Sequence, residues 1–199
     1  MNSNSKDEIK LVIVGDGCVG KSYLLITYIT NFYPNFYSAT SFDILRTNVE
    51  HNGKSVKLTI YDTGGCEEYD RLRPLCYKEV DIVIMCFSID KPHTLENIKT
   101  KWLPEIRHYC SDIPIVLVGC KLDLRNNQWT IQSLKTERCS PPSTFNEGRA
   151  MSFEIGAIRY FECSALDRTN LTELFDEIIF IVQNPKKPNQ NKVCPCNIL

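Results

Sequence analysis

The sequence has little of what would point to a membrane-spanning, secreted or nucleic-acid-binding protein. No apolar segment approaches the roughly 18 residues that a membrane-spanning helix needs. The polar amino terminus lacks the apolar segment of a signal peptide. Lysine and arginine (23) nearly balance aspartate and glutamate (24), and a net charge of -1 gives no electrostatic reason to bind nucleic acid. We therefore expect a protein that is neither integral to a membrane nor a nucleic-acid binder.

Histidine is also scarce, and the ten cysteines point to neither a zinc site nor disulfides. The three histidines are scattered, and Cys194 and Cys196 have no second cysteine or histidine cluster beside them, so no zinc site is expected. Cys86, Cys120 and Cys163 lie in or beside apolar segments, where a free thiol packs as a small hydrophobic group. Without a secretion signal, reduced cysteines in the cytosol are expected.

Strand-like and helical segments alternate along the chain and predict one α/β domain. Strands are predicted at residues 9–14, 44–51, 56–61, 81–88, 115–118 and 160–163. Helices are predicted at residues 21–31, 67–77, 94–109, 146–155 and 171–182. Several strands are apolar throughout, as parallel strands covered on both faces are, while Asn52-Gly53 predicts a hairpin. We expect a doubly wound, six-stranded, mostly parallel sheet with one antiparallel edge strand and helices on both faces.

The domain is expected to span residues 9–183, after a polar extension at residues 1–8. Residues 126–139 are a polar insertion in which Ile131 and Leu134 are spaced for a short surface helix. Residues 184–199 are rich in proline, asparagine and lysine, which predicts a flexible tail.

One glycine-rich stretch follows the first strand and opens the first helix. Its spacing, Gly15, four residues and then Gly20-Lys21-Ser22, is that of a phosphate-binding P-loop. Backbone N–H groups and the helix N-terminus would surround a phosphate. Lys21 would reach the β- and γ-phosphates, and the Ser22 hydroxyl would ligate Mg²⁺. The nucleotide-binding residues predicted here are Gly15, Asp16, Gly17, Cys18, Val19, Gly20, Lys21 and Ser22.

Two turns at later strand ends complete the predicted site. In residues 62–65, the Asp62 carboxylate would hold Mg²⁺ through water, and the Gly65 N–H would approach a γ-phosphate. In residues 120–123, Asp123 would accept hydrogen bonds from the N1 and 2-amino groups of guanine, which adenine cannot supply. The stem of Lys121 would lie along the base. Residues 164–166 would supply a backbone N–H to guanine O6. The residues assigned to the base are Cys120, Lys121, Asp123, Ser164, Ala165 and Leu166. An ATP-using P-loop kinase is the alternative, and Asp123 argues against it.

These motifs together resemble the small GTPases of the Ras superfamily, specifically the Rho/Rac family. The resemblance rests on residues 15–17, 62–65, 69–75, 101–102, 118–125 and 162–166 and on a cysteine near the end, and it runs from about residue 9 to residue 182. Residues 126–139 lie where Rho proteins carry an extra helix. The resemblance implies the P-loop small-GTPase fold, with GTP or GDP and Mg²⁺ as its ligands.

The resemblance also assigns residues between the first two strands. Thr40 matches the switch I threonine that senses the γ-phosphate and ligates Mg²⁺. Tyr33 matches the aromatic residue that packs on the guanine, and Tyr37 matches the tyrosine that covers the phosphates. Phe42 and Asp43 match the effector loop.

A nucleotide-dependent switch is the function that this family implies. Two switch segments, switch I (residues 32–45) and switch II (residues 62–77), would order around GTP and loosen with GDP, so that effectors bind only the GTP form. The resemblance further implies a monomer, with exchange factors, a GDP-dissociation inhibitor and GTPase-activating proteins as partners, in cytoskeletal or polarity signalling.

The sequence departs from the family pattern at the catalytic position. The family places a glutamine after the second glycine, where it orients the attacking water, and this chain has Cys66. A thiol is short and a weak hydrogen-bonding group, so we hypothesise slow hydrolysis and a poor response to activating proteins. The catalytic candidates are therefore Lys21, Gly65 and a defective Cys66. Gly64 replaces a usual alanine, which is expected to loosen the loop. Two alternatives remain: another switch II residue positions the water, or the protein is a constitutively GTP-bound, non-hydrolysing interaction module.

The last four residues, Cys196-Asn197-Ile198-Leu199, fit a prenylation motif, and the terminal leucine favours geranylgeranylation of Cys196. One lipid rarely anchors a protein stably, and Cys194 offers a palmitoylation site as a second signal. The expected location is the cytoplasmic face of membranes, chiefly the plasma membrane, with a cytosolic pool.

Overall fold

Six strands form one sheet in the computed structural model, which describes residues 6–35 and 40–185. The strands are β1 (Glu8–Val14), β2 (Phe42–His51), β3 (Lys54–Thr63), β4 (Ile82–Ser88), β5 (Ile115–Cys120) and β6 (Arg159–Cys163). Their order is β2-β3-β1-β4-β5-β6, with β2 and β3 antiparallel and every other neighbouring pair parallel. The predicted fold class is confirmed.

The antiparallel pair follows from the turn at Asn52-Gly53. Both residues have left-handed backbones, with φ of 51° and 73°. A two-residue hairpin of this hand matches the twist of its strands. His51 pairs with Lys54 directly across the turn, so the predicted hairpin is confirmed, with its second strand starting two residues earlier than expected.

Helices cover both faces of the sheet. They are α1 (Lys21–Thr30), α2 (His93–Asn97), α3 (Leu103–Tyr109), α4 (Gln128–Thr136), α5 (Phe145–Glu154) and α6 (Leu171–Gln183). Alternate residues of β1 serve the two sides: Leu11 and Ile13 join the core under α1 and α6, whereas Val12 and Val14 join the core under α2, α3 and α5. The central strands β1, β4 and β5 are therefore buried on both faces, as their apolar sequences predict.

The predicted helix at residues 94–109 is interrupted. α2 and α3 are joined by a π-helical turn, Ile98–Trp102, in which the N–H of Leu103 donates to the carbonyl of Ile98. Pro104 has no N–H and cannot bond the carbonyl one turn before it, which favours a wider turn at this point. The sequence pattern therefore predicted the helical segment but not the π-helical turn within it.

The predicted helix at residues 67–77 is wrong. The chain forms two short 3-10 turns instead, Glu67–Tyr69 and Arg73–Cys76. Pro74 is tolerated only in the first turn of a helix, so a helix cannot run through it without a kink. The side chain of Arg73 is also buried here, where a surface helix would have exposed it.

The predicted surface helix in the insertion is present as α4. The side chain of Asn127 accepts a hydrogen bond from the N–H of Thr130 and caps its first turn, and none of the α4 residues is fully buried. In the described part of the chain, no helix combines the length and apolar character needed to cross a membrane.

Candidate nucleotide-binding site

A cavity of about 610 Å³ lies at the carboxyl ends of the parallel strands. Ligands of open α/β sheets bind at this edge. The cavity brings together many of the predicted residues: Gly17, Cys18, Gly20, Lys21, Ser22, Tyr33, Thr40, Gly65, Cys66, Cys120, Lys121, Asp123, Ala165 and Leu166.

The floor of the cavity is formed by the loop between β1 and α1. Lys21 begins α1 and is buried, and its ammonium donates to the carbonyls of Gly15 at 2.7 Å and Asp16 at 2.8 Å. Burial lowers the pKa of Lys21, because the charged form loses its hydration. A buried cation next to a helix N-terminus makes this floor suited to an anion.

Three oxygen-bearing side chains meet beside Lys21. The hydroxyls of Ser22 and Thr40 lie 2.6 Å apart. Oδ1 of Asp62 is buried and has no hydrogen-bond partner among the described residues, and burial raises the pKa of this carboxyl. Hydroxyl and carboxylate oxygens are the groups that Mg²⁺ and its bound waters prefer, and a water on the cation could donate to the unpartnered oxygen. These residues therefore fit the predicted metal.

The segment after β3 lies directly against the P-loop at Gly65. A Cβ on this residue would fall 2.3 Å from the carbonyl carbon of Asp16 and 2.4 Å from the backbone N of Gly17. Contacts that short do not occur, so only glycine allows this approach. Its backbone N–H is thus brought to the cavity edge beside the P-loop.

Gly64 lies where residues 40–41 pack against the start of the segment after β3. Its N–H donates to the carbonyl of Ser41 at 3.0 Å, and a Cβ would meet the ring of Tyr69 at 2.4 Å and the carbonyl of Thr40 at 2.8 Å. The missing methyl group lets the two switch segments pack closely. The looser loop that the sequence analysis expects from Gly64 stays a prediction.

Cys66 is exposed at the rim of the cavity. Its Sγ lies 3.6 Å from where a Cβ on Gly17 would sit. The thiol thus faces the P-loop at Gly17, which has no side chain.

Arg73 connects the segment around Cys66 to Trp102 and to Glu105 of α3. Its guanidinium donates to the carbonyls of Gly64 at 3.1 Å and Cys66 at 3.3 Å, and to the Glu105 carboxylate at 2.7 Å. It also lies 4.6 Å above the centre of the Trp102 ring. The sequence analysis missed this role because Glu105, 32 residues away, and Trp102 are distant from Arg73 along the chain.

We expect Arg73→Met to destabilise the protein by about 2 kcal/mol, because it leaves the Glu105 carboxylate and two carbonyls without a charged donor. For a domain of this size that corresponds to a fall in Tm of about 4–8 °C. The matched control is Lys99→Met, which removes an ion pair to Glu154 that is about half exposed. Thermal unfolding of the GDP-loaded proteins measures both; equal Tm values would contradict the anchoring role of Arg73.

The other end of the cavity carries the residues assigned to a base. Ser164 Oγ donates to Asp123 Oδ1 at 2.7 Å, which joins the loops after β5 and β6. Lys121 has a left-handed backbone, and its ammonium lies 3.6 Å from Asp90. Cys120 is buried, and its Cβ would be 3.5 Å from a Cβ on Gly20, so it meets the P-loop by packing.

An aromatic pair borders the same end of the cavity. The rings of Tyr33 and Tyr23 are 5.0 Å apart between centroids, and both line the cavity. Burial raises the pKa of Tyr33, with Tyr23 and Asp123 contributing. A flat ligand beside Asp123 would therefore meet an aromatic side chain, as expected for a base.

Several predicted residues do not line the cavity: Gly15, Asp16, Val19, Asp62 and Ser164. Val19 is buried in the core, and Ser164 acts through Asp123. Tyr37, Cys194 and Cys196 lie outside the described residues. Six lining residues were not predicted: Tyr23, Leu24, Thr63, Gly64, Leu124 and Cys163. Each of these six residues lies within or next to a predicted motif, and only this position in the sequence could have indicated that it lines the cavity.

The side chain of Asp16 points away from the cavity. It accepts from Asn97 Nδ2 at 2.6 Å and from Trp102 Nε1 at 2.7 Å. The π-helical turn begins immediately after Asn97 and ends at Trp102. Residues at the two ends of this turn therefore hold the P-loop on its side opposite the cavity.

The sheet order, the P-loop and the cavity at the strand ends define a P-loop nucleotide-binding protein of the small-GTPase fold. The family model described as Ras family matches residues 10–184. Over 167 residues the chain is 46% identical to the GTP-binding protein rho5 of Schizosaccharomyces pombe, an alignment that covers 84% of this chain and 83% of that protein. The chain belongs to the Ras family and, within it, is a Rho-family small GTPase.

Proposed function

We propose that this Rho-family protein is a GTP/GDP switch that hydrolyses GTP slowly and so favours its GTP form. The carrying observation is Cys66, an exposed thiol at the cavity rim, 3.6 Å from a Cβ position on Gly17. A thiol is a weak donor and acceptor and is too short to align a water while also contacting the transition state.

Different residues of the chain would bind the phosphates and the Mg²⁺ ion. Lys21 would exchange its two carbonyl partners for the β- and γ-phosphates, and the Gly65 N–H would donate to the γ-phosphate. Ser22 and Thr40 would hold Mg²⁺ directly, and Asp62 would hold it through water. When bound, Mg²⁺ neutralises phosphate charge.

The guanine would be recognised at the opposite end of the cavity. Asp123, oriented by Ser164, would accept from the N1 and 2-amino groups of the base. Lys121 and Tyr33 would flank the base, while Ala165 and Leu166 would lie at its O6 edge. Adenine would offer Asp123 no N1–H or 2-amino donor, and this mismatch supports the choice of GTP over ATP.

Partners would bind the two switch segments, residues 32–45 and 62–77. Phe42, Leu72 and Leu75 are apolar and exposed in these segments, which supports a protein-binding surface there. Effectors would bind the GTP form; exchange factors, a GDP-dissociation inhibitor and GTPase-activating proteins are proposed by family analogy, as is a monomeric state.

Single-turnover hydrolysis tests the proposal. The intrinsic rate of a Ras protein with the glutamine is about 4 × 10⁻⁴ s⁻¹. We expect this protein, loaded with GTP and Mg²⁺, to be slower than that by about tenfold. A rate equal to that of the glutamine-bearing protein would refute slow hydrolysis, and failure to bind GTP at all would refute the switch itself.

A second candidate is an interaction module that stays bound to GTP and essentially does not hydrolyse it. Cys66 favours this candidate too, because both depend on the missing glutamine. Prolonged incubation of the GTP-loaded protein separates them: slow conversion to GDP supports a switch, and none over many hours supports a module.

Geranylgeranylation is proposed at Cys196 and palmitoylation at Cys194, after a domain that spans residues 9–183. The protein would then lie at the cytoplasmic face of the plasma membrane, with a cytosolic pool.

We expect Cys196→Ser to move most of the protein from the membrane fraction to the cytosol, because a prenyl chain supplies most of the membrane affinity in this motif. Cell fractionation or fluorescence imaging measures the shift. Cys139→Ser is the control, since Cys139 is an exposed cysteine of the folded domain and should leave the distribution unchanged. Unaltered membrane binding of Cys196→Ser would show that the anchor lies elsewhere.

A further inference from the structure

Arg125 forms a two-pronged ion pair behind the candidate guanine pocket. Its Nη1 and Nη2 donate to the two carboxylate oxygens of Glu162 at 2.5 and 2.6 Å. Its Nε donates to the carbonyl of Ser143 at 3.0 Å. Neither Arg125 nor Glu162 lines the cavity, so neither would touch the nucleotide.

Glu162 is itself held from two further sides. Its side chain, only 7% exposed, also accepts from the hydroxyl of Tyr160, and its backbone carbonyl accepts from Asn170 Nδ2 at 2.7 Å. Asn170 ends the loop that contains Ser164. These hydrogen bonds hold Glu162 in place at the start of that loop.

The pair connects the two loops that carry the base-recognition residues. Arg125 follows Asp123 by two residues, and Glu162 precedes Ser164 by two residues. The loops are also joined inside the cavity, where Ser164 Oγ donates to Asp123 Oδ1. Two links, one facing the cavity and one behind it, hold the Asp123 loop against rotation.

We propose that the Arg125–Glu162 pair positions the Asp123 carboxylate and thereby sets both the selectivity for guanine and the rate at which GDP dissociates. This inference rests on the guanine site of the proposed function. A bidentate arginine–carboxylate pair fixes orientation as well as distance, which a single hydrogen bond does not. The pair is buried enough that water does not readily replace it.

The binding of guanine depends more strongly on the orientation of the Asp123 carboxylate than the binding of hypoxanthine does. Guanine offers two donors, N1–H and the 2-amino group, and both must meet the carboxylate. Hypoxanthine has no 2-amino group and needs only one aligned contact. If the pair aims the carboxylate, its loss weakens GDP more than IDP; if the pair only stabilises the fold, both nucleotides weaken equally.

The test compares dissociation of ribose-labelled GDP and IDP from the full-length protein. We expect Arg125→Met to speed GDP dissociation by about tenfold and IDP dissociation by less than about threefold, the loss of roughly one aligned hydrogen bond. Arg125→Lys keeps the charge without the fork and should give an intermediate acceleration of GDP. Glu162→Gln keeps the side-chain volume and should act in the same direction as Arg125→Met, so the test does not depend on one variant folding.

Arg159→Met is the matched control. It removes a 2.6 Å arginine–glutamate pair that joins β6 to α6, and it should leave both dissociation rates unchanged. Equal acceleration of GDP and IDP in the Arg125 and Glu162 variants, or none, would overturn the inference while leaving the guanine site intact. A wild-type protein that binds neither nucleotide would instead overturn the proposed function.

Discussion

Replacing Cys66 by glutamine is expected to raise the single-turnover rate of GTP hydrolysis by about tenfold, because an amide can accept from the attacking water and donate to the transition state. The geometry has room for it: Cys66 is exposed, and its thiol faces Gly17, which has no side chain. In the presence of the arginine-supplying domain of a Rho GTPase-activating protein, the gain should be larger, because the arginine and the glutamine act on the same transition state.

The control for this prediction is Cys139→Gln, which makes the same exchange at an exposed cysteine of the loop after α4. It should not change the rate. Equal rates for the wild type and Cys66→Gln, with and without the activating domain, would mean that another residue of switch II already positions the water.

The second large effect is expected at Asp123, where Asp123→Asn should lower the affinity for GDP by about a hundredfold or more, since a site built for two donors loses one acceptor. The amide should in exchange favour XDP, because xanthine presents an oxygen where guanine presents its 2-amino group. Ser164 holds Oδ1 of Asp123 at 2.7 Å, so the replacement has an ordered partner.

Competition of GDP, XDP and ADP against a fluorescent nucleotide measures this exchange. Asp112→Asn, in the loop before β5, is the matched control and should bind GDP like the wild type. If Asp123→Asn kept its affinity for GDP and gained none for XDP, Asp123 would not be the residue that reads the base.

Local sequence patterns predicted the sheet well because the causes are local. Apolar strands and the Asn52-Gly53 turn specify pairings that the structure has. The sequence also indicated which strand ends would border the cavity, because the carboxyl ends of parallel strands share one edge.

The sequence patterns failed where a proline or a distant partner decides the backbone. Pro74 and Pro104 change the helices predicted around them, and their effect depends on what each turn can bond instead. Arg73 binds Glu105, 32 residues away, and Arg125 binds Glu162, 37 residues away. Such pairs have no periodicity, so they could be found only in three dimensions.

The nucleotide that stays on the purified protein tests the central claim most directly. The protein would be isolated quickly in the presence of Mg²⁺ and denatured, and the released nucleotide separated by ion-exchange chromatography, with Cys66→Gln treated in parallel. If Cys66 makes hydrolysis slow, most of the nucleotide from the wild type will be GTP and most of that from Cys66→Gln will be GDP. Wild-type protein that carries almost entirely GDP would contradict the claim.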